Sequence, residues 1–410
     1  MEEEDEYTKK SGIYELYSNE VLGKGSFGIV YKGIRRLPVN MNTGEEKKEE
    51  VAFKKIPQEI INDKTKLDSL SNEIIISSLI NVGNKNEEEV KEKKEDKNKK
   101  VEDIYKKINE NIVCFLDIVD FGFDKYLAYE FCNGGDLKRY LAYFKGFDES
   151  MIQFILKQVL TGLQHLHDKK IVHHDIKPEN ILVELCPEGN DINFDKKVNL
   201  IMEMTDRKNR FKSKENNPIK DDELLRILKN SKIKLSDFGL SKYKEQYNKK
   251  EISGSPLYID PNLFIPDSEN ETVDSEKVDI WAIGALAYEL RFNELPFQPS
   301  VPSIDKLIES LDKGIYFIDF KKCNEISKEL ISFINMCLQR PQKIRPLCDE
   351  LLFSEFICRD PDFMIKLTID NYKNEIYPQG DYLKVDGKIT MNIDDNRMIN
   401  AVFDDAPRKG

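Results

Sequence analysis

Apolar positions in this chain first alternate with polar ones and later recur every three to four residues. From Asn19 a strand pattern runs through Val21 and Leu22 to Gly23, Gly25 and Gly28, and resumes at Ile29, Val30 and Tyr31. Such alternation predicts half-buried strands, and the glycines between them predict a hairpin whose tip can bring backbone N–H groups close to phosphates. A polar stretch over Arg36–Glu50, containing Asn42, Thr43 and Gly44, reads as an enlarged loop before a further strand at Val51–Lys54. Leu67–Leu79 reads as a helix carrying Glu73, with apolar residues at Leu70, Ile74 and Ile76. Two strand-like runs follow, Asn111–Leu116 and Tyr126–Phe131. Past Asn133, Gly134 and Gly135 the period becomes helical. Asp136 is placed to cap Leu137–Phe144, and Asp148 to open a longer helix through Ile152, Ile155, Leu156, Val159, Leu163 and Leu166. Asp279–Phe292 is the clearest helix of the last third, and Asp386-Gly387 in the tail predicts a tight hairpin.

Two stretches lack such a pattern. Residues of about 82–107 and 185–231 are rich in Lys, Asn and acidic side chains and read as solvated insertions, the second with one helix near Asp222–Lys229. Residues 1–17 form an acidic lead, expected to be mobile at its start. Residues 358–410 form a tail, read as a packing extension, a flexible end or a docking site for a regulator. The body between, 18–357, has strands to about 131 and mainly helices from about 133. This order predicts an α+β architecture of two lobes, a small β-rich one and a larger helical one, with a cleft between them.

Composition narrows the class. The 410 residues suffice for one large two-lobed unit; 40% hydrophobic residues support a core, and 34% charged residues fit long solvated segments. The mean hydropathy of −0.55 agrees. A net charge of −12 argues against nucleic acid or an anionic membrane as partner. No run approaches the roughly 18 apolar residues of a spanning helix, and the acidic start is the opposite of a signal peptide. The seven cysteines are scattered without a Cys-x-x-Cys pair, and the four histidines all fall between 165 and 174. Reduced thiols in the cytoplasm are the expectation. The nucleus stays open, since the Lys-rich run at 91–100 is interleaved with acids and is no clear nuclear signal.

The chemistry centres on Val172–Asn180, which holds Asp175, Lys177 and Asn180 between apolar segments. An Asp can orient a hydroxyl, a Lys can meet phosphate and an Asn can hold a metal. By itself a charged loop of this kind is most often a solvated turn. Here the other parts of a phosphoryl-transfer site occur in order: Gly23-Lys24-Gly25-Ser26-Phe27-Gly28, Val51-Ala52-Phe53-Lys54, Glu73, His173-His174-Asp175 and Asp237-Phe238-Gly239. Asp279-Ile280-Trp281 and Lys343-Ile344-Arg345-Pro346 add two later motifs. The set resembles the eukaryotic-type protein kinases over roughly 18–357, and Lys177-Pro178-Glu179-Asn180 resembles their serine/threonine branch. Phe131–Leu137 and Gly254–Tyr258 also look somewhat like the autophagy-initiating kinases.

The resemblance implies a two-lobed protein-kinase fold with ATP in the cleft and Mg2+ as cofactor. Gly23, Gly25 and Gly28 would cover the phosphates; Leu22, Val30, Ala52 and Leu182 would line the adenine site; the backbone at Glu130 and Cys132 would pair its edge. Lys54 would hold the α- and β-phosphates and Glu73 would hold Lys54. Asp136 would meet the ribose. Asp237 and Asn180 would bind magnesium, Asp175 would act as the base and Lys177 would sit against the γ-phosphate. Tyr129 falls at the gatekeeper position, and its bulk predicts a closed space behind the adenine. Ser255 would bond Asp175 and Lys177. Asp136 and Glu179 match positions that contact an upstream Arg of the substrate in basic-directed kinases, so protein substrates with basic residues before the acceptor are one expectation and ordinary loop carboxylates the other.

Three positions depart from the family. His174 stands where an Arg usually receives an activation-loop phosphate, and Glu251 falls about where many relatives place a phosphorylated Thr. Activity without phosphorylation there is expected, with Ser253 and Tyr247 as other sites. Asp260-Pro261-Asn262 replaces the Ala-Pro-Glu triplet, so the anchor to Arg345 should be weaker or differently paired. Ser77 occupies a position that is normally apolar, with Ile76 as the alternative filler. These departures keep a rival reading alive, a pseudokinase or scaffold that binds nucleotide and partners without efficient transfer. A small-molecule kinase is disfavoured by Gly254–Tyr258, which matches a peptide-docking loop.

Overall fold

The computed structural model describes residues 7–25, 28–37, 46–62, 64–81, 109–189, 191–206, 219–246, 254–263, 274–296, 315–317, 326–339, 341–358, 382–385 and 388–392. The first lobe is a six-stranded antiparallel sheet in the order β1-β2-β3-β4-β6-β5. Its strands are β1 (Thr8–Ser11), β2 (Tyr14–Gly25), β3 (Gly28–Arg36), β4 (Lys48–Lys55), β5 (Phe115–Phe121) and β6 (Asp124–Glu130). In β4, Val51 and Phe53 are buried while Ala52 and Lys54 are only half-buried, as the two-residue period of a strand requires. Phe53 sits among Tyr14, Phe121 and Tyr126, all meeting edge to face at 5.3–6.4 Å. The sheet curls until its first and last strands approach, with Lys9 of β1 at 3.8 Å from Asp124 beside β5.

Helices α1 (Gln58–Asn62) and α2 (Lys64–Asn81) follow β4. The second lobe opens with α3 (Leu137–Phe144) and α4 (Glu149–Asp168), capped by Asp136 and Asp148, whose carboxylates accept from the N–H groups of Arg139 and Met151. Two small antiparallel pairs carry the functional loops. β7 (Ile171–Val172) pairs with β10 (Lys242–Tyr243), and β8 (Ile181–Glu184) pairs with β9 (Lys232–Leu235). Helix α7 (Ser275–Phe292) is buried almost throughout, around Trp281, Leu286 and Leu290. α8 (Lys328–Cys337), α9 (Cys348–Leu352) and α10 (Glu355–Cys358) complete the lobe, and Gly284 of α7 has no room for a side chain against Cys337 and Leu338. The two-lobed α+β architecture expected from the pattern is the one observed.

Several boundaries differ. The acidic lead contains β1 and the first third of β2, and Tyr14 and Leu16 are core residues. The alternation there is masked by the adjacent exposed lysines Lys9 and Lys10 and by Glu15. The strand expected at Asn111–Leu116 lies four residues later, because Ile112 instead bridges Leu235 in the other lobe. Among its described residues, the second insertion is far less solvated than its composition suggests. It forms α5 (Phe194–Met204) and α6 (Asp221–Lys229), and Ile201, Ile219, Leu224, Ile227 and Leu228 join the main core. Few but correctly spaced apolar residues suffice to dock such helices. The first insertion, 82–107, lies outside the described residues. In the tail, β12 (Tyr382–Val385) and β13 (Lys388–Asn392) pair with Val385 opposite Lys388, and β13 also pairs with β11 (Ile315–Phe317).

Candidate active site

The glycine-rich hairpin joins β2 to β3 with Gly25 opposite Gly28; Ser26 and Phe27 lie outside the described residues. Gly28 has φ +129°, and a Cβ there would lie 2.5 Å from the Lys55 carbonyl oxygen, so only glycine fits. Gly23 is in open space. Val30 pairs with both Gly23 and Lys54, which sets it on the face of Ala52 and Lys54; Leu22 is 41% exposed and Leu182, on β8, is half-buried.

Lys54 links three elements. Its Nζ lies 2.6 Å from Glu73 Oε1 on α2 and 3.0 Å from Asp237 Oδ1 beyond β9. Burial works to lower the Lys54 pKa, but the two carboxylates outweigh it and the net shift is upward, so the lysine stays charged. Asp237 adopts φ +62°, uncommon for a residue with a side chain, and the next residue, Phe238, is buried against the His173 ring.

Asp175 is the centre of the second cluster. Its Oδ2 takes Lys177 Nζ at 2.6 Å and the Asn180 amide nitrogen at 2.7 Å, and its Oδ1 takes the Ser255 hydroxyl at 2.8 Å and the Ser255 N–H at 3.0 Å. Lys177 also reaches Ser255 Oγ at 2.6 Å. Burial alone would raise the Asp175 pKa; the bonds from Lys177 and Ser255 reverse this and hold it below the ordinary carboxylate value. The Asn180 nitrogen, turned to Asp175, directs the amide oxygen the other way. Ser236 N–H and Oγ both donate to the Asn180 carbonyl at 2.9 Å, tying this loop to the residue before Asp237.

The loop itself hangs on α7. Asp279, fully buried, accepts the His173 and His174 N–H groups at 2.8 Å each and His167 Nε2 at 3.0 Å. Burial would push its pKa up, but the His167 bond and charge outweigh this and lower it.

At the lobe joint, the Glu130 side chain is committed within the protein. Its carboxylate accepts the Cys114 N–H at 2.7 Å and pairs with Lys234 at 2.7 Å, and its own N–H donates to the Cys114 carbonyl at 2.9 Å. Lys234 also pairs with Glu184 at 2.8 Å, so a buried lysine joins two half-buried carboxylates in a triad that no motif predicts. The Cys132 thiol is pushed up strongly by burial. Asp136 bridges Leu182 while it caps α3. Glu179 lies 4.0 Å from Lys138, and Lys138 also bonds Glu289, which in turn accepts from the Tyr258 hydroxyl. Lys138 thus already stands near Glu179, one of the two carboxylates expected to meet a basic substrate residue.

His174 is buried at φ +69° in a hollow with Ile176, Ile259, Leu263 and Val278, and burial depresses its pKa. Gly254 presses on its carbonyl oxygen so closely that a Cβ would lie at 2.8 Å. Glu251, Ser253 and Tyr247 lie outside the described residues. The anchor to Arg345 is not weak but moved. Asp260, two residues before Asn262, takes the guanidinium bidentately at 2.5 and 2.9 Å with both side chains fully buried. Arg345 also stacks on Trp281 at 4.8 Å. Ser77 and Ile76 are both buried, and Ser77 lies beside the Tyr129 hydroxyl.

The geometry therefore brings Lys54, Glu73 and Asp237 together in one cluster, and Asp175, Lys177, Asn180 and Ser255 in another. A family model described as protein kinase domain matches residues 16–357. The chain belongs to the protein kinase domain family. Among curated relatives of this kinase, the human serine/threonine-protein kinase ULK1 is 27% identical over 355 residues, 86% of this chain and 26% of the relative. MAP kinase kinase kinase mkh1 of Schizosaccharomyces pombe is 25% identical over 370 residues, 88% of this chain and 26% of its own. The kinase thus spans about a quarter of the length of these relatives.

Proposed function

We propose that this kinase transfers the γ-phosphoryl group of ATP to serine or threonine hydroxyls of proteins. The observation that carries the reading is the Asp175 carboxylate, ionised and held by Lys177, Asn180 and Ser255. Asp175 aligns the acceptor hydroxyl and takes its proton as oxygen attacks the γ-phosphorus and ADP leaves. Lys177 stands beside that carboxylate to meet charge on the moving phosphoryl group. Lys54, fixed by Glu73, holds the α- and β-phosphates, and the backbone of Gly23, Gly25 and Gly28 covers them. Leu22, Val30, Ala52 and Leu182 line the adenine site, the backbone at Glu130 and Cys132 pairs the adenine edge, and Asp136 meets the ribose. Asp237 and Asn180 supply carboxylate and amide oxygens, donors that fit magnesium, which when bound neutralises phosphate charge.

Asp136 and Glu179 support basic residues before the acceptor, although Lys138 already neutralises part of that surface. The six described free cysteines support a reducing compartment, and we place the protein in the cytoplasm. No helix among the described residues is long and apolar enough to cross a membrane.

The test is incubation with magnesium, γ-labelled ATP and a basic protein, beside Asp175→Asn. Transfer by the wild type and a loss of at least about a hundredfold in the variant are expected. Equal, near-background labelling would favour the scaffold reading. Phosphatase pretreatment is expected to leave the rate within about twofold, because neutral His174 replaces the phosphate-binding Arg.

A further inference from the structure

Tyr129 lies near the end of β6, opposite Ala52 of β4 and Phe115 of β5, and its ring meets Phe115 edge-on at 5.4 Å. The residue as a whole is half-buried, but its hydroxyl end is deep: burial first, then the Glu73 charge, raises the phenol pKa well above its ordinary value. The hydroxyl therefore keeps its proton and donates. Its acceptor is Glu73 Oε1 at 3.2 Å, the same oxygen that takes Lys54 Nζ at 2.6 Å. The bond passes from the sheet to α2, the helix whose rotation would carry Glu73 away from Lys54. One turn beyond Glu73, Ser77 is buried and places only a hydroxymethyl group beside the phenol. A larger apolar side chain at 77 would press into the space that the polar end of Tyr129 occupies.

We propose that Tyr129 is a positioning residue for phosphoryl transfer: its hydroxyl, seated over Ser77, braces Glu73 against the sheet and so builds the Lys54–Glu73 pair into the contact between sheet and helix. The inference rests on the kinase reading for its consequence in catalysis, while the brace itself is a property of the fold. A hydrogen bond to an ionised carboxylate shielded from water is among the stronger ones, and its acceptor here already orients the lysine that grips ATP. In this protein the position of α2 is thereby set from inside the small lobe.

Tyr129→Phe in the full chain removes the hydroxyl and keeps the ring. Amide hydrogen exchange over α2 is expected to quicken by about tenfold, and kcat/KM for ATP to fall by about tenfold. In a Glu73→Gln background the same change should add less than about twofold to either effect. Ser77→Leu should act in the same direction as Tyr129→Phe. Unchanged exchange over α2, equal losses in both backgrounds, or faster exchange spread equally over α7 would overturn the proposal. Exchange needs no turnover. A wild type that fails to transfer phosphate, yet shows the Tyr129-dependent change confined to α2, would refute the kinase reading and support the brace.

Discussion

His174 shows how one side chain changes what a conserved-looking loop can sense. An arginine there would carry a permanent charge, whereas a buried imidazole next to Ile259, Leu263 and Val278 is most stable neutral. The sign of the pH effect follows. The folded pKa is depressed, so as pH falls below about 6.5 the unfolded chain takes up a proton first and stability declines. Melting temperature should be flat above about pH 7 and fall through about pH 6, with a shallower fall in His174→Asn. An equal slope in both proteins would assign the titration elsewhere. At this scale the sequence was informative about charge: Lys54, Glu73, Asp175, Lys177, Asn180 and Asp237 could be picked out by type and order, and the Ser255 bonds to Asp175 and Lys177 followed, whereas the Lys177 and Asn180 bonds to Asp175 did not. It was silent on Tyr129 and Glu73, because a bond spanning 56 positions depends on how a helix lies across a sheet.

Among the elements, the segment from Gly254 to Leu263 is tied down at both ends. Ser255 holds it to Asp175, and Asp260 holds it to Arg345 beside α7. Asp260 does the work expected of a glutamate two residues later, a substitution that reading by aligned position could not reveal but that charge conservation allows. Removing one member of a buried ion pair strands the other. Asp260→Ala should therefore lower unfolding free energy by about 3–5 kcal/mol in denaturant titration, and Asn262→Ala by about 1 kcal/mol or less. Comparable effects would return the anchor to Asn262. Helix α5 was missed for a different reason: Val198, Ile201 and Met204 are three apart on one face, but a Lys- and Asn-rich composition hides so short a stripe.

Across the whole molecule, lobe order was legible because strand and helix periods change near Gly134, while the outer limits of the fold were not. β1 adds a sixth strand by pairing Thr8–Ser11 with Tyr14–Tyr17, and the sheet closes towards β5 around Leu16 and Phe53. Deleting residues 1–13 would remove that strand and uncover one side of the barrel-like core. The melting temperature is expected to fall by about 3–6 °C; an unchanged value would show that β1 is decorative.

Tyr129 has a consequence for inhibitor chemistry as well. In the proposed ATP site its ring would stand where a competitive ligand extends past the adenine edge, and its hydroxyl is committed to Glu73. Scaffolds that gain selectivity by growing inward would meet that wall. Potency against this kinase would have to be built outward, over the exposed rim at Leu22 and the half-buried Leu182. Ligands that tolerate a bulky phenol at the back of the site would form a natural starting set for a screen.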